Sequence, residues 1–498
     1  MPKHPRVEET LKMDVFKMVA YQFADQQFIA GQWIKGTSTN LLKNINPYNQ
    51  NILLELQAAS SVDVDSAYVA AEKQQKSWAK TEPKVRKQLA DRVIELIQQR
   101  REEIVDWLIQ ESGSTRIKAN IEVDAALAIT REAATFPNRL LDSKLKSPDP
   151  ERHSWVYKKA LGVIGVISPW NFPFHLSMRS VVTALTIGNA VVLKPASDTP
   201  ITGGLLLAKI FEEAGLPQGL LSVVAGSGSE IGDYFVEHPV PKLISFTGST
   251  EVGQRVGELA VGRAHLKRIA LELGGNAPLV VLDDADLDLA VELTVMGRFL
   301  HQGQICMSTN RVIVDAKVYD SYVKKLLERA KQIPHGDPSL DSTLIGPIIN
   351  VGQVQKIQEI IQKAVAQGAE LALKGEVVGN VVPPHIFINV DPASDLAQEE
   401  SFGPVLPVIK ARDEEHALAL ANDTRFGLSS AVCTTNKERG VQFALGIDAG
   451  MTHINAISVA DDPTAPFGGE KNSGLGRFNG HWILEEFSRT HWVTVNKA

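Results

Sequence analysis

The sequence predicts an α/β protein in which two mostly parallel sheets form two domains. Three observations carry that reading. With 498 residues the chain exceeds one ordinary domain, and about two or three are expected. After Tyr157, short β-rich runs alternate with helical patterns at the spacing of βαβ units. Hydrophobic residues make up 44% and charged residues 22%, the balance of a globular chain with a well-buried core.

Upstream of that alternation, Val85, Leu89, Val93, Leu96 and Ile97 recur at helical spacing, followed by Ile104, Leu108 and Ile109. One helix over Lys84–Ser112 is expected, capped by Gly113. The first strand series is Leu161–Ser168, Ala190–Lys194, Leu221–Ala225, Leu243–Thr247 and Arg268–Leu273, with Thr202–Ala214 a helix between two of them. Ligands of such sheets sit at the carboxyl ends of the strands, which places Asn171, Lys194, Ser249 and Glu272 where a ligand would be. A second series runs through Pro278–Leu282, a helix to Leu300, Arg311–Val314, Phe402–Ile409 and Ala431–Thr434.

Composition excludes several classes. The net charge of −7 is spread without long single-sign runs, whereas a nucleic-acid surface needs a basic footprint. No apolar stretch reaches the roughly 18–20 residues of a spanning helix. Met1–Ala20 mixes charges among its apolar residues and does not read as a secretory signal. The two cysteines, Cys306 and Cys433, make neither a disulfide framework nor a Cys-x-x-Cys metal site. A cytoplasmic location is expected, where a reactive thiol stays reduced.

Each motif has a bland alternative. Gly226-Ser-Gly228-Ser-Glu-Ile-Gly232 follows a strand like a dinucleotide fingerprint, but with three residues rather than two before the last glycine. Gly474-x-Gly476-x-x-x-Gly480 has the same spacing with no clear strand before it, and such patterns are more often turns. Phe246-Thr247-Gly248-Ser249-Thr250-Glu251-Val252-Gly253 joins a strand end to a helix start, where backbone N–H groups and Ser249 could hold a phosphate, or Ser249 or Thr250 merely cap the helix. A lone cysteine is usually a small buried hydrophobe, and Cys433 fits that description. Cys306 fits it less well, between a glycine turn and Ser308, Thr309 and Asn310. Glu272 is a carboxylate among apolar residues, and desolvation would raise its pKa toward that of a general base.

Seven blocks in order, Pro169-Trp170-Asn171-Phe172-Pro173, Lys194-Pro195-Ala196, Phe246–Thr250, Leu271-Glu272-Leu273-Gly274-Gly275, Gly303-Gln304-Ile305-Cys306, Glu400-Ser401-Phe402-Gly403-Pro404 and Pro466-Phe467-Gly468-Gly469, resemble the aldehyde dehydrogenase superfamily from about Gln27 to the C-terminus. The resemblance implies that Cys306 attacks an aldehyde to give a thiohemiacetal and then a thioester. It implies that Asn171 and the Cys306 N–H hold the oxyanion and that Glu272 activates water. NAD or NADP is the implied cofactor, with contacts at Ile167, Ser168, Pro169, Trp170, Lys194, Ala196, Ser197, Gly228, Gly232, Phe246, Thr247, Gly248, Ser249, Gly253, Leu273, Glu400 and Phe402. No step calls for a metal. Many NAD-selective members carry a glutamate where this chain has Ser197, so a 2′-phosphate would be tolerated, while Asp198 next door would restore some repulsion.

Within the superfamily, Leu176–Ser180, Gln304–Met307 and Pro466–Gly474 look like the benzaldehyde and vanillin dehydrogenase branch, making aromatic aldehydes the first choice of substrate. The implied pocket is Phe172, Leu176, Arg179, Ile305, Met307, Val459 and Phe467. Arg179 also matches an arginine that reads the carboxylate in succinate-semialdehyde dehydrogenases, but the second arginine of that pattern is replaced by Leu300; a structural ion pair is the other reading. The resemblance further implies an aldehyde dehydrogenase-like division: 1–145 and 162–273 as the dinucleotide-binding domain with 1–23 an extended N-terminal segment, 274–474 as the catalytic domain, and 146–161 with 475–498 as a small β element that makes a homodimer or homotetramer. Rivals are a CoA-acylating dehydrogenase, which generally lacks Glu272, a non-catalytic descendant, which would be expected to have lost Cys306, Glu272 or Asn171, and a serine hydrolase, for which no Gly-x-Ser-x-Gly occurs.

Overall fold

The computed structural model describes residues 25–262 and 264–496; the expected N-terminal segment, 1–23, lies outside the described residues. The first large sheet has eight strands in the order Gln32–Ile34, Gln27–Ile29, Leu221–Val223, Ala190–Lys194, Val163–Ile167, Leu243–Thr247, Arg268–Glu272 and Gly474–Leu475. The five from Leu221–Val223 to Arg268–Glu272 are parallel. Their near-continuous apolar runs suit strands covered on both faces. From Val163–Ile167 the chain builds outward through Ala190–Lys194 and Leu221–Val223, then returns to build the other way through Leu243–Thr247. That reversal opens a crevice at the carboxyl ends of the two adjacent strands.

The second sheet orders Glu370–Leu373, His385–Ile388, Val405–Ala411, Thr309–Asp315, Ala277–Val281, Ser429–Cys433 and Met451–Ile454, parallel except for the first. A three-stranded antiparallel sheet stands apart, made of Ser143–Leu145, Arg152–Ala160 and Ser488–Asn496, the last two in register from Ser488↔Ala160 to Asn496↔Arg152. One contiguous core runs from Phe28 to Phe487 and takes in both large sheets; a second cluster packs on the other face of the second sheet. Buried Asn189 ties the C-terminal segment to the first sheet, accepting from the Gly162 N–H (2.9 Å) and donating to the Phe487 carbonyl (3.0 Å). Among the described residues no helix is long and apolar enough to cross a membrane.

Several expectations need correction. Lys84–Ser112 is two helices, Pro83–Gln99 and Arg101–Ser112, because Arg100 leaves helical geometry at φ −99°, ψ 13°. Ile97 and Ile104 are seven residues apart, so the apolar spacing runs through the kink and gives no sign of it. Gly113 does cap the second helix, at φ 65°. The run at Phe402–Ile409 starts its strand only at Val405, since Phe402 is left-handed (φ 43°) and turns toward Trp170. Gly474, expected in a turn, begins a short strand beside Leu271 and Glu272.

Candidate active site

The carboxyl ends of the first sheet face the amino ends of two strands of the second. Asn171 follows Val163–Ile167 and leads into the helix Pro173–Ile187; Glu272 ends Arg268–Glu272. Cys306 precedes Thr309–Asp315. The chain enters that turn through three consecutive left-handed residues, His301 (φ 50°), Gln302 (φ 58°) and Gly303 (φ 73°). Such backbone costs about 1 kcal/mol or more for each non-glycine residue and persists only where the surroundings fix it. The Gln302 amide does so by donating to the Gly113 (3.2 Å) and Pro347 (2.8 Å) carbonyls, and Gln304 Oε1 accepts from the Ile349 N–H (3.1 Å). Gly275 completes the fit, because a Cβ there would overlap the Cys306 carbonyl oxygen.

Asn171 Nδ2 donates to the Gln304 carbonyl (2.9 Å), joining the two halves of the cleft beside the cysteine and leaving its second N–H for another acceptor. The Asn171 carbonyl accepts from Lys118 Nζ (2.6 Å), which also pairs with Glu122. Glu122 Oε1 in turn accepts the Phe174 (2.8 Å) and His175 (3.2 Å) N–H groups, orphan donors of the helix start. Lys118 and Glu122 therefore brace both sides of Asn171, and sequence reasoning missed them. Their only signal is a charged i,i+4 pair sharing the buried face of Arg116–Ala133 with Ala119, Val123, Ala126 and Leu127.

Glu272 is buried and neither carboxylate oxygen has a hydrogen-bond partner. Burial pushes its pKa up to about 8, against the opposing charges of Arg179 and Arg477, with Asp461 reinforcing the rise. Half-buried Cys306 is pushed up to about 12 by burial and then by the carboxylates of Glu400 and Glu272, opposed by Arg179. At neutral pH the resting cysteine is a thiol. Glu400 accepts from the Gly275 N–H (3.0 Å), and burial raises it to about 7. Its loop is held by Arg298, a second residue the sequence did not flag, which donates to Ser401, the Gly403 carbonyl and Asn310. The Phe402 ring meets Trp170 edge-on at 5.3 Å.

Along the carboxyl ends of the first sheet, polar side chains have hydrogen-bonding capacity to spare. Lys194 Nζ makes one long bond, to the Pro195 carbonyl (3.4 Å), and burial lowers its pKa to about 8. Ser168 Oγ is buried without a partner. Partly exposed Ile167, Pro169, Trp170, Ala196 and Ser197 lie along the same strand ends. Ser249 caps Thr250–Val261, accepting from Val252 N–H at 3.4 Å, and Gly253 makes room for Leu273, whose side chain a Cβ would overlap. A Cβ on Gly228 or Gly232 would meet open space, so packing does not require glycine at either. Asp198 is turned to Asn350 Nδ2 (3.3 Å). On the far side of Asn171, Phe172, Leu176 and Arg179 share one face of Pro173–Ile187, with Arg179 against the Phe467 ring. Val459 is partly buried, whereas Ile305 and Met307 flank Cys306 but are sunk in the core. Cys433 is fully packed inside its strand.

A match to the aldehyde dehydrogenase family spans residues 33–493. The chain belongs to that family. It is 54% identical over 475 residues to a vanillin dehydrogenase of Corynebacterium glutamicum, covering 95% of this chain and 98% of the relative. It is 46% identical over 478 residues to the benzaldehyde dehydrogenase YfmT of Bacillus subtilis, covering 96% and 98%. The crystal structure of an NAD-dependent benzaldehyde dehydrogenase from Corynebacterium glutamicum superposes with a TM-score of 0.89 at 51% identity, over 96% of this chain and 99% of that one. The protein is thus an NAD(P)-linked oxidoreductase acting on aldehydes, with the two-sheet fold of its family.

Two outcomes test this electrostatic picture. Lys118→Met should lower stability by about 3–5 kcal/mol, read by denaturant unfolding, because it leaves Glu122 buried and unpaired. Glu272 is raised above its unfolded pKa, so the stability that goes with its neutral form is whole below the ordinary carboxyl range and is lost as pH climbs through about 8. Glu272→Gln should therefore melt higher than wild type near pH 9, with the difference vanishing near pH 4.

Proposed function

We propose that this aldehyde dehydrogenase oxidises aromatic aldehydes to carboxylic acids through a covalent intermediate on Cys306. The observation that carries the reading is the bond from Asn171 to the Gln304 carbonyl, which sets an amide donor beside a thiol whose nearby carboxyl, Glu272, has both oxygens free. Glu272 in its ionised form accepts the thiol proton, and the thiolate adds to the aldehyde carbon. The developing oxyanion takes the second Asn171 N–H and the Cys306 backbone N–H. NAD or NADP, held by Glu400, Phe402 and Trp170 at its nicotinamide end, would supply the acceptor for the hydride of this carbon, which stays on sulfur as a thioester. Glu272, once that proton has passed to solvent, removes a proton from water, which attacks the thioester; the acid departs and the sulfur takes the proton back from Glu272, restoring the thiol. A carboxyl poised near 8 suits this water-activating role, and release by water rather than by CoA follows from it.

Glu400, Phe402 and Trp170 would border the nicotinamide end of the cofactor, and Lys194, Ser168 and Ser249 its ribose and phosphates. Ser197 stands where an acidic side chain would repel a 2′-phosphate, and Asp198 is engaged by Asn350, so both cofactors would be accepted. Aromatic substrates are favoured by the Phe172 ring, which meets His301 of the thiol-bearing turn edge-on at 5.7 Å, and by the names of the two relatives. Residues 25–145 and 162–273 would form the cofactor-binding domain, and 274–474 the catalytic one. Ser488–Asn496 is the longer of the two edges of the outer sheet, with Trp492 65% exposed and Val495 exposed beside it. Such an edge asks for a partner, and this sheet is the proposed contact of a homodimer or homotetramer.

The decisive assay follows absorbance at 340 nm with benzaldehyde, vanillin, succinic semialdehyde and propanal. Turnover should favour the aromatic aldehydes and vanish in Cys306→Ala; preference for succinic semialdehyde would refute the aromatic assignment. Ser197→Glu should cut kcat/KM with NADP about tenfold or more relative to NAD, through like-charge repulsion. Trp492→Asp combined with Val495→Asp should sediment as a smaller species than wild type.

A further inference from the structure

Glu111 is the penultimate residue of the helix Arg101–Ser112 and is fully buried. Its carboxylate serves another element. Oε1 accepts from the Ile201 N–H (2.8 Å), and Oε2 accepts from the Thr202 N–H (2.7 Å) and the Thr202 hydroxyl. Those are the first residues of the π-helical turn Ile201–Leu205, which continues as the helix Leu206–Glu213. Free N–H groups at a helix start are ordinarily taken by a local serine, threonine or asparagine. Here they are taken by a carboxylate 90 residues away along the chain. Burial pushes that carboxyl up to about 7 against the three bonds, and Asp198 adds to the rise. No cation pairs with Glu111 among the described residues. A buried charge held by neutral donors alone is a costly cap, which points to a use beyond closing a helix.

That use follows from what the two ends of the contact carry. Upstream of Ile201, six residues (195–200) lead back to the strand end at Lys194, through Ala196 and Ser197 on the cofactor side. Within this loop the Thr199 N–H donates to the Ala196 carbonyl (3.2 Å). From outside, Asn44 Nδ2 donates to the Asp198 carbonyl (2.9 Å) and Asn350 Nδ2 to the Asp198 carboxylate (3.3 Å). Both of those grip the middle of the loop, and Glu111 fixes the end where it enters the helix. Just beyond Glu111, the Gly113 carbonyl holds Gln302 of the thiol-bearing turn (3.2 Å). Ser114 Oγ accepts from Lys118 Nζ (2.9 Å), which backs Asn171. One short stretch thus reaches the 195–200 loop, the thiol turn and the oxyanion amide. We propose that Glu111 is a positioning residue for the cofactor, holding the 195–200 loop in register with the thiol turn so that the dinucleotide meets its ribose contacts preformed. The inference rests on the cofactor placement proposed above and adds a residue that touches neither cofactor nor substrate.

The test measures NADH binding to the full chain by cofactor fluorescence, above the pKa of the Glu111 carboxyl, together with kcat and the KM for NAD. Glu111→Gln keeps the side chain's size but turns an amide donor toward the N–H groups. Its Kd for NADH and KM for NAD should rise about tenfold or more, the worth of hydrogen bonds to a charged group. Its kcat at saturating NAD, and the rate at which iodoacetamide alkylates Cys306 without cofactor, should stay within about twofold of wild type, because the thiol turn keeps its own anchors. A carboxylate that served stability alone would lower the melting temperature and leave Kd and KM unchanged, and that outcome overturns the proposal. So does a loss confined to kcat. Thr202→Val removes the hydroxyl arm and keeps both N–H bonds, so it supplies the answer if the Gln variant does not fold. Its Kd for NADH should rise about threefold, the worth of one ordinary hydrogen bond, and an unchanged value overturns the proposal. If wild type and variants bind NADH equally well, the cofactor placement stands without Glu111; if wild type binds neither NADH nor NADPH, both fall.

Discussion

Three left-handed residues in a row carry the chain into the turn that ends at Cys306, and the geometry of the cleft follows from how that turn is pinned. Gln302 anchors it to two carbonyls from distant segments, Gly303 lies against Gly403, and Gly275 packs against the Cys306 carbonyl oxygen so closely that no side chain would fit. The glycine pair between Glu272 and the second sheet thus has a packing origin. It lets the strand end bearing the carboxyl lie directly on the loop bearing the thiol, and the N–H of Gly275 then fixes Glu400.

Burial dominates the electrostatics of that contact. Cys306, Glu272, Glu400 and Lys194 are each displaced toward their neutral forms by desolvation first, with neighbouring charges adding or subtracting less. A site of neutral, displaceable protons is suited to chemistry in which a thiol, a carboxyl and a water exchange protons in turn. The fixed charges are kept at the edges: Lys118 with Glu122 behind Asn171, Arg298 behind the Glu400 loop, and Arg179 with Asp461 beyond the thiol.

Legibility from sequence divided along physical lines. The inner strands Ala190–Lys194 and Leu243–Thr247 were predicted to the residue, because strands covered on both faces write their burial as unbroken apolar runs. Cys306, Asn171 and Glu272 were legible through the resemblance of their blocks to the aldehyde dehydrogenase family; locally, only Cys306 in its polar, glycine-rich turn and Glu272 as a carboxylate among apolar residues gave a signal of their own. The kink at Arg100 left no trace, since the apolar spacing continues through it. Lys118 and Glu122 were hidden because a buried ion pair and a solvated one look alike along a helix, and Arg298 because a buried arginine satisfied by hydroxyls and carbonyls reads like a solvated one; only the tertiary neighbours distinguish them. Gly474, expected in a turn, instead sits in a strand in close approach to the Leu271 carbonyl, a contact that the glycine spacing does not show.

The antiparallel neighbour of the strand carrying Glu272 is Gly474–Leu475, and the partner of Arg152–Ala160 is Ser488–Asn496. A sheet whose first described strand begins at Gln27 is therefore closed by residues near the other end of the chain. During synthesis the inner parallel strands emerge long before their last neighbours do, and Asn189 must wait for the Phe487 carbonyl. Such long-range closure is slow and leaves strand edges open in the interim. The edge beside Glu272 thus becomes complete only after Gly474 and Leu475 have been made, so the cleft is finished well after the strand that carries its carboxyl.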